Sequence, residues 1–216
     1  MRLSDRSKVL ITAYSRGIFP MAAEDGSISW YDPDPRGMLP LDRFHVPRRL
    51  AKTLRGEPFE LRADTVFRQV MEGCAAPVPG RESTWISEEL VEAYVELHAQ
   101  GFAHSVEAWK DGVLVGGLYG VAVRGLFAGE SMFSRVPYAS QAALVHLVER
   151  LRAGGFLLLD TQFVTPHLAR FGAVEISRAQ YRTRLARALQ VEGGFEAPGF
   201  TPKPPEEGVD SGQDPP

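Results

Sequence analysis

The sequence predicts a mixed α/β chain of the α+β kind, with a largely antiparallel sheet and a small unit ahead of it. Three strand-like runs follow one another at about 103–109, 113–123 and 126–133, the first two joined by the tight turn Lys110-Asp111-Gly112, so an antiparallel meander is expected. A helical run at about 139–153 then leads through Gly154-Gly155 into the short apolar strand FLLLD. The proline-rich stretch APVPGRES at 76–83 reads as a linker. The expected division is therefore an N-terminal unit over 1–79, a main domain over 84–192 and a disordered tail over 193–216.

The elements can be justified in order. Up to about residue 79 the chain mixes short pieces with turn chemistry: GIFPM, the proline-rich YDPDPRGMLP, and FHVP leading into a helix. That helix carries Arg48, Arg49, Lys52 and Arg55, with 48, 52 and 55 on one face, either as a phosphate-binding face or as a plain solvated one. A short helix follows near 65–75, with Cys74 in its apolar pattern. Ser87 is a good N-cap with Glu88 and Glu89 in the first turn behind it, and Gly101 ends that helix. After the strands, a short helix is expected at 165–170, and the last helix carries Arg178, Arg182, Arg184 and Arg187, read as surface. The tail is proline-rich and charged, with few apolar residues to bury.

Composition narrows the function classes. With 216 residues, 44% of them hydrophobic, the chain can bury a core. A single cysteine excludes an internal disulfide framework and a thiolate metal cluster, and the five histidines lack metal-ligand spacing, so no metal is expected. No apolar run is long enough to span a bilayer and the start lacks a secretory signal, so a cytoplasmic location is expected. The net charge of -3 argues against a chain coated in basic residues.

The polar residues inside the strands are the informative ones. A strand buried on both faces does not need Glu130, Ser131 or the Gly116-Gly117 pair, because an unpaired carboxylate is costly and paired glycines weaken a sheet. Gly116, Gly117 and Gly120 leave room that Leu118 and Phe127 could line. Glu130 admits two readings, a buried pairing with His104 or an arginine, or recognition of an amine. Asp160 closes the apolar run 156–159 and Gln162 follows two positions on, so a continued strand points both side chains to one face. They read as a working pair, and Asp160 alone reads as a turn cap. Trp30, Tyr31 and Trp85 lie beside loops, suited either to the core or to stacking on a nucleobase. There is no phosphate-binding Walker loop and no GxSxG elbow, and Ser131 in GESMF lacks the setting of a nucleophile.

The motifs AYSRGIFPM, WYDPDPR, STWI, AHSVEAW, VGGLYG, GLFAGESMFS, ASQAAL, LLLDTQ and HLARFGAVEISR resemble, in order and spacing, those of bacterial leucyl/phenylalanyl-tRNA–protein transferases, from Ala13 to Leu189. The resemblance implies a small N-terminal domain and a GNAT-like acyltransferase domain. It implies transfer of Leu or Phe, less readily Met, from Leu-tRNA or Phe-tRNA to proteins with N-terminal Arg or Lys, marking them for N-degron degradation, with no cofactor and a monomeric chain. Carried over by position, Asp160 and Gln162 match the catalytic pair. Trp30, Tyr31 and Trp85 match the aromatics around the 3′-terminal adenosine. Leu118, Phe127 and Leu159 match the pocket for the transferred side chain, Glu130 a polar group beside the reacting centre, and Arg48, Arg49, Lys52 and Arg55 the cluster for the acceptor stem. Tyr31 stands where the family has a second Trp, Thr161 where Cys is common, and the segment before GIFP is shorter than usual.

Two alternatives stand beside this reading. A CoA-dependent N-acetyltransferase of the same general fold wants a glycine-rich turn before a helix, and 135–140 has no glycine. A module that binds tRNA or protein N-termini without turnover is the non-enzymatic one.

Overall fold

The computed structural model describes residues 3–23, 25–56, 58–78, 83–196 and 200. In chain order the elements are α1 (Asp5–Ser15), β1 (Phe19–Ala22), β2 (Ile28–Tyr31), β3 (Arg36–Leu39), α2 (Arg48–Leu54), β4 (Glu60–Ala63), α3 (Phe67–Ala75), α4 (Glu88–Ala99), β5 (Ala103–Lys110), β6 (Val113–Val123), β7 (Leu126–Ser134), α5 (Ala139–Ala153), β8 (Leu158–Gln162), α6 (Pro166–Ala169), β9 (Val174–Ile176) and α7 (Arg178–Ala188). Among the described residues no helix is long and apolar enough to cross a membrane.

The expected antiparallel meander is β5-β6-β7, at the centre of a seven-stranded sheet of order β4-β5-β6-β7-β8-β3-β9. α5 carries the chain back so that β8 lies parallel to β7, while β3 pairs antiparallel with β8 and with β9. The sheet is thus mixed and mostly antiparallel. It draws β3 and β4 from the stretch ahead of residue 79, which the sequence placed in the N-terminal unit, and only β1 and β2 form a separate sheet. These four-residue strands are too short to show a period, so hydrophobic patterning alone misses them.

Alternation along β6 builds two cores. Tyr119, Val121 and Val123 face α3, α4 and α1 on one side, while Leu118 and Ala122 face α5 on the other. The helices begin where their chemistry dictates: the Ser87 hydroxyl accepts from the Leu90 amide, and Ser177 and Gln180 form a reciprocal capping box at α7. The chain itself occupies the room left by the strand glycines. A Cβ on Gly116 would lie 2.6 Å from the Ala139 methyl, and one on Gly120 would lie 2.4 Å from Phe127 Cε1.

One expectation changes at the C-terminal edge. Phe195, placed by the sequence in the tail, is 5% exposed and stacks on His104 at 4.0 Å and on Phe127 at 5.7 Å, so the packed chain runs past 192. An aromatic among glycines carries no periodic signal, and only its contacts reveal it. Residues 197–199 and 201–216 of the expected tail lie outside the described residues, as do 79–82 of the expected linker.

Candidate active site

Where β7 and β8 run side by side, a cavity of about 650 Å³ opens between the two cores. One wall is apolar, from Leu118, Leu144, Leu147 and Leu159 with Met132 and Leu168; the facing wall carries Phe19, Tyr119 and Phe133 with Met21 and Trp85. Glu130 from β7 and Thr161 and Gln162 from β8 are among the polar residues of the lining. Five of the residues named from the sequence therefore meet at one cavity: Trp85, Leu118, Glu130, Leu159 and Gln162.

Asp160 is not on that wall. Alternation sends Leu159 and Thr161 to the cavity and Asp160 to the opposite side, and Gln162 rejoins the cavity through a backbone irregularity. Gly37 pairs with Gln162 but Met38 pairs with Asp160, so Thr161 is bulged out of the ladder, and Gln162 takes the left-handed φ of 58°. The bulge requires a glycine opposite: a Cβ on Gly37 would lie 2.5 Å from the Phe163 carbonyl carbon. The expectation that Asp160 and Gln162 share a face is corrected by this bulge, which a period of two cannot anticipate.

Asp160 is bound on all sides. Arg36 donates Nε to Oδ1 at 2.9 Å and Nη2 to Oδ2 at 2.6 Å, the Tyr181 hydroxyl donates to Oδ2 at 2.7 Å, and the Gln162 amide donates to Oδ1 at 2.9 Å. Arg36 gives its remaining Nη1 to the Gly17 carbonyl at 2.8 Å and lies over the Phe19 and Tyr181 rings. With both carboxylate oxygens engaged and 1% exposure, Asp160 is tied to the backbone of Gln162 and is absent from the cavity lining. Burial and the adjacent carboxylate push the Tyr181 hydroxyl upward, which keeps it a donor.

Glu130 is the carboxylate that faces the cavity. Its Oε1 accepts from Gln162 Nε2 at 3.4 Å and its Oε2 from the Tyr94 hydroxyl at 3.5 Å. Tyr94 is hydrogen-bonded in turn to Tyr14, and both rings are buried. Among the described residues neither pairing expected for a structural Glu130 occurs: His104 Nδ1 donates to Asp64 Oδ2 at 2.8 Å and Arg36 is bound to Asp160. Burial pushes the Glu130 carboxyl up to about 8; the Tyr14 hydroxyl opposes the rise, Asp160 adds to it, and Arg36 and Tyr94 oppose it.

The other residues named from the sequence lie apart. Phe127 is fully buried behind the wall, edge-on to Phe156 at 6.3 Å, so its ring fills the space beside Gly120 and does not line the cavity. Tyr31 is 40% exposed and stacks on Phe19 at 5.9 Å, one ring removed from the cavity. Trp30 points to the opposite side of β2, into a separate groove of about 390 Å³ beside Lys8, Thr12 and Arg16 of the α1 segment. Arg48, Arg49, Lys52 and Arg55 are exposed on and just after α2, away from the cavity lining. At the start of α5, where a nucleotide pyrophosphate would need free amides, the Ser140 amide donates to Ser134 Oγ at 2.9 Å.

Sequence reasoning missed Arg36, Tyr14, Tyr94, Tyr181 and Phe19. One signal was present: an arginine beside the apolar pair Met38-Leu39 needs a buried anion, and Asp160 needs a cation.

The family model described as leucyl/phenylalanyl-tRNA protein transferase matches residues 38–186, and that of its N-terminal domain matches 7–34. The leucyl/phenylalanyl-tRNA–protein transferase of Herpetosiphon aurantiacus is 60% identical over 87% of this chain and 96% of its own length. The protein of the same name from Phenylobacterium zucineum is 58% identical over 88% of this chain and 87% of its own. Among solved structures, a GCN5-related N-acetyltransferase-like protein from Streptococcus suis is similar with a TM-score of 0.34 at 15% identity, over 79% of this chain and 64% of that one. Matched across both the β1–β2 segment and the main sheet, this chain belongs to the leucyl/phenylalanyl-tRNA–protein transferase family of enzymes.

Proposed function

We propose that the chain transfers Leu or Phe, and less readily Met, from its aminoacyl-tRNA to the N-terminal Arg or Lys of an acceptor protein, acting as a monomer and without a cofactor. The observation that carries the reading is a cavity with an apolar wall beside two polar side chains, Glu130 in the middle of β7 and Gln162 at the end of β8. An aminoacyl ester is already activated, so the site need only hold an amine against the carbonyl and stabilise the oxyanion.

The Leu118, Met132, Leu144 and Leu159 wall suits a branched or aromatic side chain, and its size selectivity is modest because a methylene changes binding by roughly 1–3 kcal/mol. Gln162, fixed through Asp160 and Arg36, positions the reacting groups, and Asp160 is a positioning residue. Trp85 at the cavity and Tyr31 behind Phe19 offer ring faces for the terminal adenosine. The α2 cations meet acceptor-stem phosphates.

The test is transfer of labelled Leu from Leu-tRNA to peptides beginning with Arg or Ala. Label on the Arg peptide alone is the expected outcome. Equal labelling of both would overturn the acceptor assignment, and transfer of an acetyl group from acetyl-CoA would favour the acetyltransferase.

A further inference from the structure

We infer that Glu130 is the proton acceptor of the transfer, taking a proton from the acceptor's α-ammonium group inside the cavity; the inference rests on the transfer function proposed above. Two carboxylates stand near the reacting centre, and geometry separates them. Asp160 is 1% exposed with both oxygens bound by Arg36, Tyr181 and the Gln162 amide, so no lone pair faces the cavity. Glu130 lines the cavity, and among the described residues it has no ion-pair partner. Its contacts with Gln162 Nε2 at 3.4 Å and the Tyr94 hydroxyl at 3.5 Å are long, and these, like the hydrogen bond from the Tyr14 hydroxyl, come from neutral groups that an incoming ammonium displaces or adjoins without charge conflict.

The surroundings suit a base that works near neutrality. Facing Glu130 are Tyr14 of α1, Tyr94 of α4, Tyr119 of β6, Asp160 of β8 and Arg36 of β3. Burial raises all three tyrosine hydroxyls, so they remain protonated donors while the carboxylate changes charge. A carboxyl raised to about 8 matches an α-amine near ~7.7–8.0, so the proton moves with little cost in either direction.

The step balances. The Glu130 carboxylate takes one of the three ammonium protons. The freed nitrogen lone pair attacks the ester carbonyl carbon, forming the C–N bond and placing the carbonyl π pair on oxygen. The intermediate collapses with cleavage of the bond to the tRNA 3′ oxygen, which leaves with the bond pair and takes a second proton from nitrogen. The third proton stays on the new amide, and Glu130 loses its proton to solvent before the next turnover.

The experiment measures kcat and KM for Leu transfer to an Arg peptide from about pH 5 to 9 for the intact chain, Glu130→Gln and Tyr94→Phe. Glu130→Gln is expected to lower kcat by about 100-fold or more and to remove the acid limb of its profile, while KM for Leu-tRNA changes little. Tyr94→Phe removes a donor that favours the charged carboxylate, so its acid limb moves to higher pH. The acceptor amine titrates identically in every variant, so a shift between variants reports the protein. A folded Glu130→Gln protein with kcat within about threefold of the intact chain overturns the inference. If that variant fails to fold, an unmoved acid limb in Tyr94→Phe overturns it instead, and a raised limb supports it. An intact chain that transfers nothing overturns the transfer function and the inference with it; an active chain with unaffected variants overturns the inference alone.

Discussion

Arg36 and Asp160, 124 residues apart in the chain, clasp each other through two hydrogen bonds of 2.9 and 2.6 Å, with each side chain 1% exposed. The pair ties β3 to β8 and, through the Gln162 amide, sets the backbone that aims Gln162 at the cavity. Removing one partner strands a buried charge. Arg36→Ala is therefore expected to cost about 3–5 kcal/mol in urea unfolding, and Arg36→Lys a large part of that, because an ammonium cannot form the two-pronged contact. A loss below about 1 kcal/mol for Arg36→Ala would show that water compensates the carboxylate.

Glu130 makes stability depend on pH in a defined direction. Its carboxyl holds a proton more tightly in the folded chain, at about 8, than at the 4.5 of an unperturbed group. Its contribution is fully present below the unfolded value and is lost as pH rises through the folded one. Denaturant unfolding of the intact chain and of Glu130→Gln, compared from about pH 5 to 8.5, is expected to show the intact chain losing stability relative to the variant as pH rises. A constant difference across that window would contradict the buried setting of Glu130.

The sequence made the central meander, α4, α5 and β8 readable, because each is long or bounded by strong turn and capping residues: Ser87, Gly101, Lys110-Asp111-Gly112 and Gly154-Gly155. β3 and β4 were not readable, since four residues carry no period and their place in the sheet is fixed by partners far along the chain. At the site, Gln162, Glu130, Trp85, Leu118 and Leu159 were legible as polar or aromatic residues where a plain core was expected, or through the family motifs. The orientation of Asp160 was not, because it depends on the bulge at Thr161, and Arg36 and Tyr94 reach the site only through tertiary contacts. Phe127 misled because room beside a glycine looks the same in sequence whether a ligand or the protein's own ring fills it.

Met132 lines the apolar wall and is only partly buried, so truncation widens the cavity at modest cost to the fold. Met132→Ala is expected to raise the kcat/KM ratio of Phe-tRNA over Leu-tRNA by about 5- to 10-fold, the lower end of the roughly 1–3 kcal/mol that a methylene is worth. Competition between the two charged tRNAs measures it. An unchanged ratio would place the transferred side chain elsewhere.

The cations on α2 are exposed and act through charge, so their effect is salt-dependent. Replacing Arg48 and Lys52 by Gln together is expected to weaken tRNA binding and to reduce the slope of log affinity against log salt by about 1.4–1.8, at roughly 0.7–0.9 for each phosphate left without its cation. Binding titrations over a series of salt concentrations test this, and an unaltered slope would leave α2 as a solvated surface helix.

The most direct measurement is a structure of the chain with a stable 3′-aminoacyl adenosine carrying Leu through an amide in place of the ester. The leucyl side chain is expected against Leu118, Met132 and Leu159, with its carbonyl within reach of Gln162 and Glu130 and the adenine on the Trp85 and Tyr31 side. An analogue seated with its leucyl group outside this cavity, and Gln162 and Glu130 untouched, would contradict the account.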